Sequence, residues 1–273
     1  MRITSPVGTF LWSFIEFPDG QSHFRLKHGP DTTAAVTIEE AITTPERLFR
    51  VLQIKDTLTH NGYSEVNLDI RWLMGARMDR RMSSKEPFTL EIIARILNGA
   101  GFKRIRIMDP HSSVATTLLD AEAWYPTGVV HQVMGMYSAA DTVVVCPDKG
   151  ARERCNLLLN ATNSALPLAY AEKTRDPLTG ALSGFKLVVE GQVKGRHCLI
   201  LDDICDGGGT FSGLAEVLHA AGAKHVDLFV THGLFSRGLP LKGINYVYCT
   251  DSLRPPQYDN LSVFPVVMSE GSF

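Results

Sequence analysis

The sequence predicts an α/β protein of two tandem domains, each a mainly parallel sheet flanked by helices. Three observations predict it. Strand-like and helix-like segments alternate along the chain, the second half repeats the theme of the first without a residue-by-residue match, and 273 residues exceed one average domain. A hydrophobic content of 44% can fill a core in each half. The domains are expected at 1–128 and 129–273 with no low-complexity linker.

The first patterned element is a hairpin. Apolar runs at 14–17 and 24–26 flank Pro18-Asp19-Gly20-Gln21, a turn by composition. Residues 66–70 and 104–108 read as strands, and between them residues 90–97 carry apolar side chains at helical spacing, ending at Gly99 and Gly101. In the second half, residues 142–146 and 166–170 read as strands separated by a helix that begins near Gly150. Strands at 197–201, 226–230 and 246–249 follow. Residues 254–273 contain Pro255 and Pro256 and no helical period, so they are expected as extended chain that packs back on the first domain.

Composition excludes some functions. A net charge of −2 without a run of Lys and Arg argues against nucleic-acid binding. No apolar run approaches the length that crosses a bilayer, and the N-terminus lacks a secretion-signal pattern. The five cysteines include no CxxC pair and read as reduced, mostly buried thiols of a cytoplasmic protein. Cys205 reads as a small filler, with oxidation as the other role open to it. The histidines outside position 111 show no metal-ligand spacing.

The chemically richest segment runs from Cys198 to Thr210. An apolar strand ends in Asp202 and Asp203, a turn follows through Asp206, Gly207, Gly208 and Gly209, and Thr210 opens a helical pattern over 211–221. Carboxylates at a strand end followed by bare amides at a helix start suit a phosphorylated sugar. The acids accept ribose hydroxyls or reach a metal, while the glycines let N–H groups close on phosphate oxygens. A tight turn that needs glycine only for its dihedrals is the plainer alternative.

This loop resembles the phosphoribosyl pyrophosphate motif of type I phosphoribosyltransferases, and five further segments resemble the related ribose-phosphate pyrophosphokinases. Phe17-Pro-Asp19-Gly-Gln21 looks like the hairpin that contacts adenine, and Arg77-Met-Asp79-Arg80-Arg81 is similar to the ATP-binding segment. Met108-Asp109-Pro110-His111 resembles a strand end whose histidine meets the magnesium nucleotide. Cys146-Pro147-Asp148-Lys149-Gly150 matches a second metal-linked aspartate, and Glu172-Lys173-Thr-Arg175 resembles the start of the mobile catalytic loop. The six segments stand in the family's order.

The resemblance implies two tandem type I phosphoribosyltransferase-like domains and transfer of the β,γ-diphosphate of ATP to the anomeric hydroxyl of ribose 5-phosphate, with Mg2+, in nucleotide biosynthesis. It implies that Lys173 and Arg175 are catalytic. Phe17, Asp19, Gln21, Arg77, Asp79, Arg80 and His111 would bind ATP, and His111 and Asp148 the metal. Asp202, Asp203, Asp206, Gly207, Gly208, Gly209 and Thr210 would bind the ribose phosphate. It further implies a homodimer or higher homo-oligomer, because Phe17 has to meet a partner. Read from the residues alone, Asp148 serves equally as a helix cap, His111 as a strand-end histidine satisfied by backbone, and the arginine cluster as a solvated surface.

The chain departs from the family pattern at Gly207, where a threonine usually supplies a hydroxyl to the 5-phosphate. The missing side chain is expected to leave space there, which would suit a 5-extended ribose such as ADP-ribose and a place in NAD metabolism. Gln21 and Met78 also depart, both in the nucleotide segments. The competing functions are a phosphoribosyltransferase and a catalytically silent, synthetase-like regulatory protein.

Overall fold

The computed structural model describes residues 1–175, 182–188 and 192–268, with residues 173–175, 182 and 183 described by their backbone alone. The chain divides into two compact units, Met1–Trp124 and Tyr125–Phe273.

The first unit contains β1 (Arg2–Ser5), β2 (Gly8–Thr9), β3 (Leu11–Glu16), β4 (Ser22–His28), β5 (Val36–Ile42), α1 (Pro45–His60), β6 (Val66–Leu73), α2 (Thr89–Gly99), β7 (Ile105–Met108), α3 (Ser113–Leu119) and β8 (Glu122–Trp124). Its six-stranded sheet has the order β2-β1-β5-β6-β7-β8, parallel from β5 to β8 with β1 and β2 antiparallel at one edge. Thr44 opens α1 by accepting the Arg47 N–H at 3.3 Å, with Pro45 in the first turn where its missing N–H costs nothing. Val51, Ile54 and Leu58 of α1 are fully buried, as are Val36, Ile38, Leu68 and Ile70 of the sheet. Each such side chain contributes about 2 kcal/mol by leaving water. Asp69 alternates with Leu68 and Ile70 and is buried too; Arg106 of the neighbouring strand neutralises it through Nε at 2.8 Å from Oδ1. The hairpin β3–β4 forms a separate two-stranded sheet docked on α1, where Gln53 donates to the Ser22 carbonyl at 2.8 Å.

The second unit contains α4 (Thr127–Met134), β9 (Thr142–Cys146), α5 (Arg152–Ala161), β10 (Leu168–Arg175), β11 (Leu182–Leu187), β12 (His197–Cys205), α6 (Gly209–Ala220), β13 (His225–Gly233), β14 (Tyr246–Thr250) and β15 (Leu261–Phe264). The sheet order is β11-β10-β9-β12-β13-β14-β15, parallel throughout except for β11. Both units therefore have the parallel-dominated α/β build expected from the sequence.

One expectation needs correction. Strand β12 does not stop at Leu201 but continues to Cys205, because Ile204 and Cys205 stay in register with His232 and Gly233 of β13. The tail is extended as expected: residues 261–264 form the parallel edge strand beside β14, and residues 269–273 lie outside the described residues.

Candidate active site

Because β9, β10, β12 and β13 run parallel, the segments that follow them leave from one edge of the sheet, the edge where α/β folds hold ligands. Asp202 and Asp203 sit just inside this edge on β12. Asp203 is buried and Asp202 keeps 14% of its side chain exposed. Asp202 Oδ1 accepts the Asp203 N–H at 3.0 Å. Burial first, then the neighbouring Asp203 carboxylate, holds the Asp202 carboxyl well above the usual range, with Asp148 adding to the effect. Arg154 of α5 opposes it, its Nη1 lying 3.9 Å from Asp202 Oδ1.

Past the carboxylates the backbone turns sharply. Gly208 is the N-cap of α6 at φ 74°, a left-handed conformation, and a Cβ there would stand 2.2 Å from Leu241 Cδ2. Glycine is required twice over. No side chain caps α6 and no acidic residue lies in its first turn, so the amides that open it face no built-in anion. Thr210 stands in that first turn, half-buried. Asp206 is turned toward the next loop, where the Ser236 hydroxyl donates to its Oδ1 at 2.6 Å.

Gly207 is different. Its backbone is not left-handed, but a Cβ would lie 3.2 Å from both Cδ and Nε of Arg237. The space expected beside Gly207 is thus occupied: the stem of an arginine lies where a side chain would start.

Asp148 follows β9, and its Oδ1 accepts the Ala151 N–H at 3.0 Å. This bond closes the turn that leads into α5, whose own N-cap, Ala151, makes no side-chain cap. Lys173 and Arg175 fall inside β10, paired with Phe185 and Leu182 of β11, so the stretch expected to begin a loop is still strand; their side chains lie outside the described residues. Cys205 is fully buried and its thiol is pushed up to about 12 by burial, which favours the filler role. All five cysteines are free and buried.

In the first unit, Arg77, Asp79 and Arg80 lie on the segment that leaves the end of β6, and His111 follows the end of the adjacent parallel strand β7. Arg77, Arg80 and His111 are exposed and Asp79 is half-buried. Arg81 Nη1 donates to the Glu86 carbonyl within the same segment. Asp109 reaches φ 40° to turn the chain toward His111, and its N–H is held by the Trp124 carbonyl at 2.8 Å. Phe17, Asp19 and Gln21 form the tip of the β3–β4 hairpin, closed by Phe17 N–H to the Gln21 carbonyl at 2.8 Å and by Asp19 Oδ1, which accepts the Gln21 N–H at 3.1 Å. Phe17 is 47% exposed, a large apolar side chain held out on a rigid turn.

Among the described residues no three His, Cys, Asp or Glu side chains gather at metal-ligand spacing, and no helix is long and apolar enough to cross a membrane. Sequence reasoning missed Arg154 and Arg237. Arg154 has a faint signal, six residues beyond Asp148 on the following helix; Arg237 has none, since its contact lies thirty positions away.

Known proteins resemble this chain along most of its length. Residues 127–252 match the phosphoribosyl transferase domain family. The ribose-phosphate pyrophosphokinase of Mycoplasma pneumoniae is 29% identical over 97% of this chain and 83% of its own length. The chain is a relative of the ribose-phosphate pyrophosphokinases. The Mycobacterium tuberculosis protein of that name is likewise 29% identical over 93% of this chain and 82% of its own. The solved phosphoribosylpyrophosphate synthetase of Mycobacterium smegmatis superposes with a TM-score of 0.78 at 24% identity, covering 94% of this chain and 87% of that one, a shared fold.

Proposed function

We propose that this ribose-phosphate pyrophosphokinase relative, a transferase of the diphosphokinase type, moves the β,γ-diphosphoryl group of ATP to the anomeric hydroxyl of ribose 5-phosphate. A bond forms between the anomeric oxygen and the β-phosphorus, the bond to the α-phosphate bridge breaks, AMP leaves and the hydroxyl proton is released. The observation that carries the reading is the end of β12, where four residues separate the Asp202–Asp203 carboxylate pair from Gly208, the N-cap of a helix with no side-chain cap.

Asp202 and Asp203 accept the 2- and 3-hydroxyls and orient the anomeric oxygen. Residues Asp206, Gly207, Gly208, Gly209 and Thr210 hold the 5-phosphate by N–H donation and the helix N-terminus. Lys173 and Arg175 offset charge on the transferring phosphates, which is most of what phosphoryl transfer asks of a protein. Arg77, Asp79, Arg80 and His111 bind the nucleotide phosphates. Phe17, Asp19 and Gln21 form the adenine wall of a neighbouring copy, and the exposed rigid hairpin supports a homo-oligomer.

His111 and Asp148 are the residues that would meet a magnesium nucleotide, as the resemblance implies. A hard cation near Asp202 would offset a carboxyl that burial first, and then Asp203 and Asp148, make costly to ionise. Bound magnesium would supply charge neutralisation on the phosphates. The reduced, buried thiols support a cytoplasmic setting.

ADP-ribose is the second acceptor to assay, since Gly207 offers no hydroxyl to a terminal phosphate; the arginine stem beside it narrows the space expected for a 5-extension. The test is AMP formation by purified protein with ATP and magnesium, given either acceptor. AMP is expected only when an acceptor is present. Failure with both would sink the reading.

A further inference from the structure

We infer that Arg237 is a phosphate-contact residue of the acceptor site, taking over the anion-binding role that position 207 gives up by being glycine. The inference rests on the proposed acceptor reading and deepens it. Arg237 lies in the connection between β13 and β14, thirty positions beyond Gly207.

Four hydrogen bonds fasten that connection onto the glycine turn. The Leu234 and Phe235 N–H groups donate to the Cys205 carbonyl at 2.9 and 3.2 Å, and the Ser236 N–H donates to the Asp206 carbonyl at 3.1 Å. The Ser236 hydroxyl donates to Asp206 Oδ1 at 2.6 Å. Two left-handed residues, Phe235 at φ 47° and Gly238 at φ 76°, bend the segment around Arg237, and the Gly238 N–H closes the turn on the Phe235 carbonyl at 2.8 Å. The backbone of Arg237 is therefore fixed relative to the turn, which lowers the entropy lost when its side chain grips a ligand.

The contact itself is specific. Cδ and Nε of Arg237 lie 3.2 Å from the point where a Cβ of residue 207 would stand, with Cγ at 3.5 Å. Position 207 is not left-handed, so what a side chain there would meet first is the arginine, whose stem would have to shift by a few tenths of an ångström. Among the described residues no carboxylate pairs with Arg237, and its side chain is exposed. A guanidinium anchored beside uncapped helix amides suits a phosphoryl group on the ribose 5-oxygen, whether a terminal monoester or the first phosphate of a diphosphate.

The test is titration calorimetry of ribose 5-phosphate, ADP-ribose and ATP against the wild type, Arg237→Ala, Arg237→Gln, Gly207→Thr and the double variant Gly207→Thr/Arg237→Ala, with thermal melts on each. Arg237→Ala and Arg237→Gln should weaken whichever 5-phosphorylated ribose the wild type binds at least tenfold and change ATP affinity less than twofold. Gly207→Thr alone should also weaken that ligand, because the new side chain meets Arg237. The double variant should bind at least fivefold more tightly than Arg237→Ala, since the hydroxyl now has room. A larger loss for ribose 5-phosphate identifies the monoester as the group read, and a larger loss for ADP-ribose identifies the diphosphate. Unchanged acceptor affinity in both Arg237 variants would overturn the assignment of Arg237 alone, as would an equal loss of ATP affinity. A wild type that binds neither sugar would overturn the acceptor reading beneath it.

Discussion

The ends of β12 and of β6 and β7 solve opposite problems with the same architecture. On β12 and just beyond it the candidate side chains are carboxylates at the sheet end with neighbours close by: Asp202 keeps 14% exposure, Arg154 stands 3.9 Å away, and Ser236 holds Asp206. Beyond β6 and β7 the candidate groups are mostly cations on exposed segments, and Phe17 of the hairpin is 47% exposed. The acids at the end of β12 lie among packed neighbours, whereas Arg77, Arg80 and His111 stand on exposed segments. On the proposed reading, the acceptor end is shaped within the chain and the nucleotide end is exposed.

The largest expected effect tests what acts on both. Lys173→Ala should lower kcat about 1000-fold, the scale of losing a transition-state cation, while the calorimetric affinity for the sugar stays within twofold. Steady-state AMP formation reads the first and titration the second. Unchanged turnover removes Lys173 from the catalytic role; lost sugar binding would mean the acceptor end is not preorganised after all. Next comes Phe17→Ala. Losing one stacking wall should raise KM for ATP about tenfold and leave KM for the acceptor unaltered. If the acceptor KM rises equally, the hairpin serves the fold rather than the nucleotide.

The same contrast governs what was legible in the sequence. The β12 turn could be read because its chemistry is contiguous: acids, glycines and helix start follow one another between 202 and 210. Strands β9 and β14 were legible as apolar runs, and β13 as such a run broken by Asp227, as buried parallel strands should be. By contrast β5 and α1 were not identified. Glu39 and Glu40 stand in the middle of β5 and disguise a buried strand as a polar one. Only the fold supplies their partners: Arg47 reaches Glu40 at 2.7 Å, and Arg71 lies 3.7 Å from Glu39. Arg237 was unreadable for the same reason, since the turn it touches is adjacent in space and distant in sequence. The true end of β12 was hidden because paired aspartates look like a strand terminus, whereas register with β13 carries the ladder two residues past Asp203, to Cys205.

The smallest effect is the sharpest test of the buried side of the comparison, because activity and stability should move in opposite directions. Burial and the Asp203 and Asp148 carboxylates raise the Asp202 carboxyl well above the usual range, and the attraction of Arg154 does not offset them. A carboxyl raised in the folded state favours folding while it is protonated. That contribution is complete below the ordinary carboxylate range and is lost as pH climbs through the raised value. At neutral pH Asp202 is therefore a cost accepted for function. Asp202→Asn removes the titrating charge at nearly constant volume, so it should raise Tm at pH 7.5 by about 2–4 °C, corresponding to ~1 kcal/mol, and flatten the fall in Tm as pH climbs above the ordinary carboxylate range. The same variant should lower kcat/KM for the acceptor about 100-fold, because an amide oxygen binds sugar hydroxyls and metal less strongly than a carboxylate. Melting curves across pH, with and without ribose 5-phosphate, separate the two. A variant that is less stable at every pH would show that the pull of Arg154 outweighs burial, and the carboxylate pair would then be a structural ion cluster rather than a site held ready at the expense of the fold.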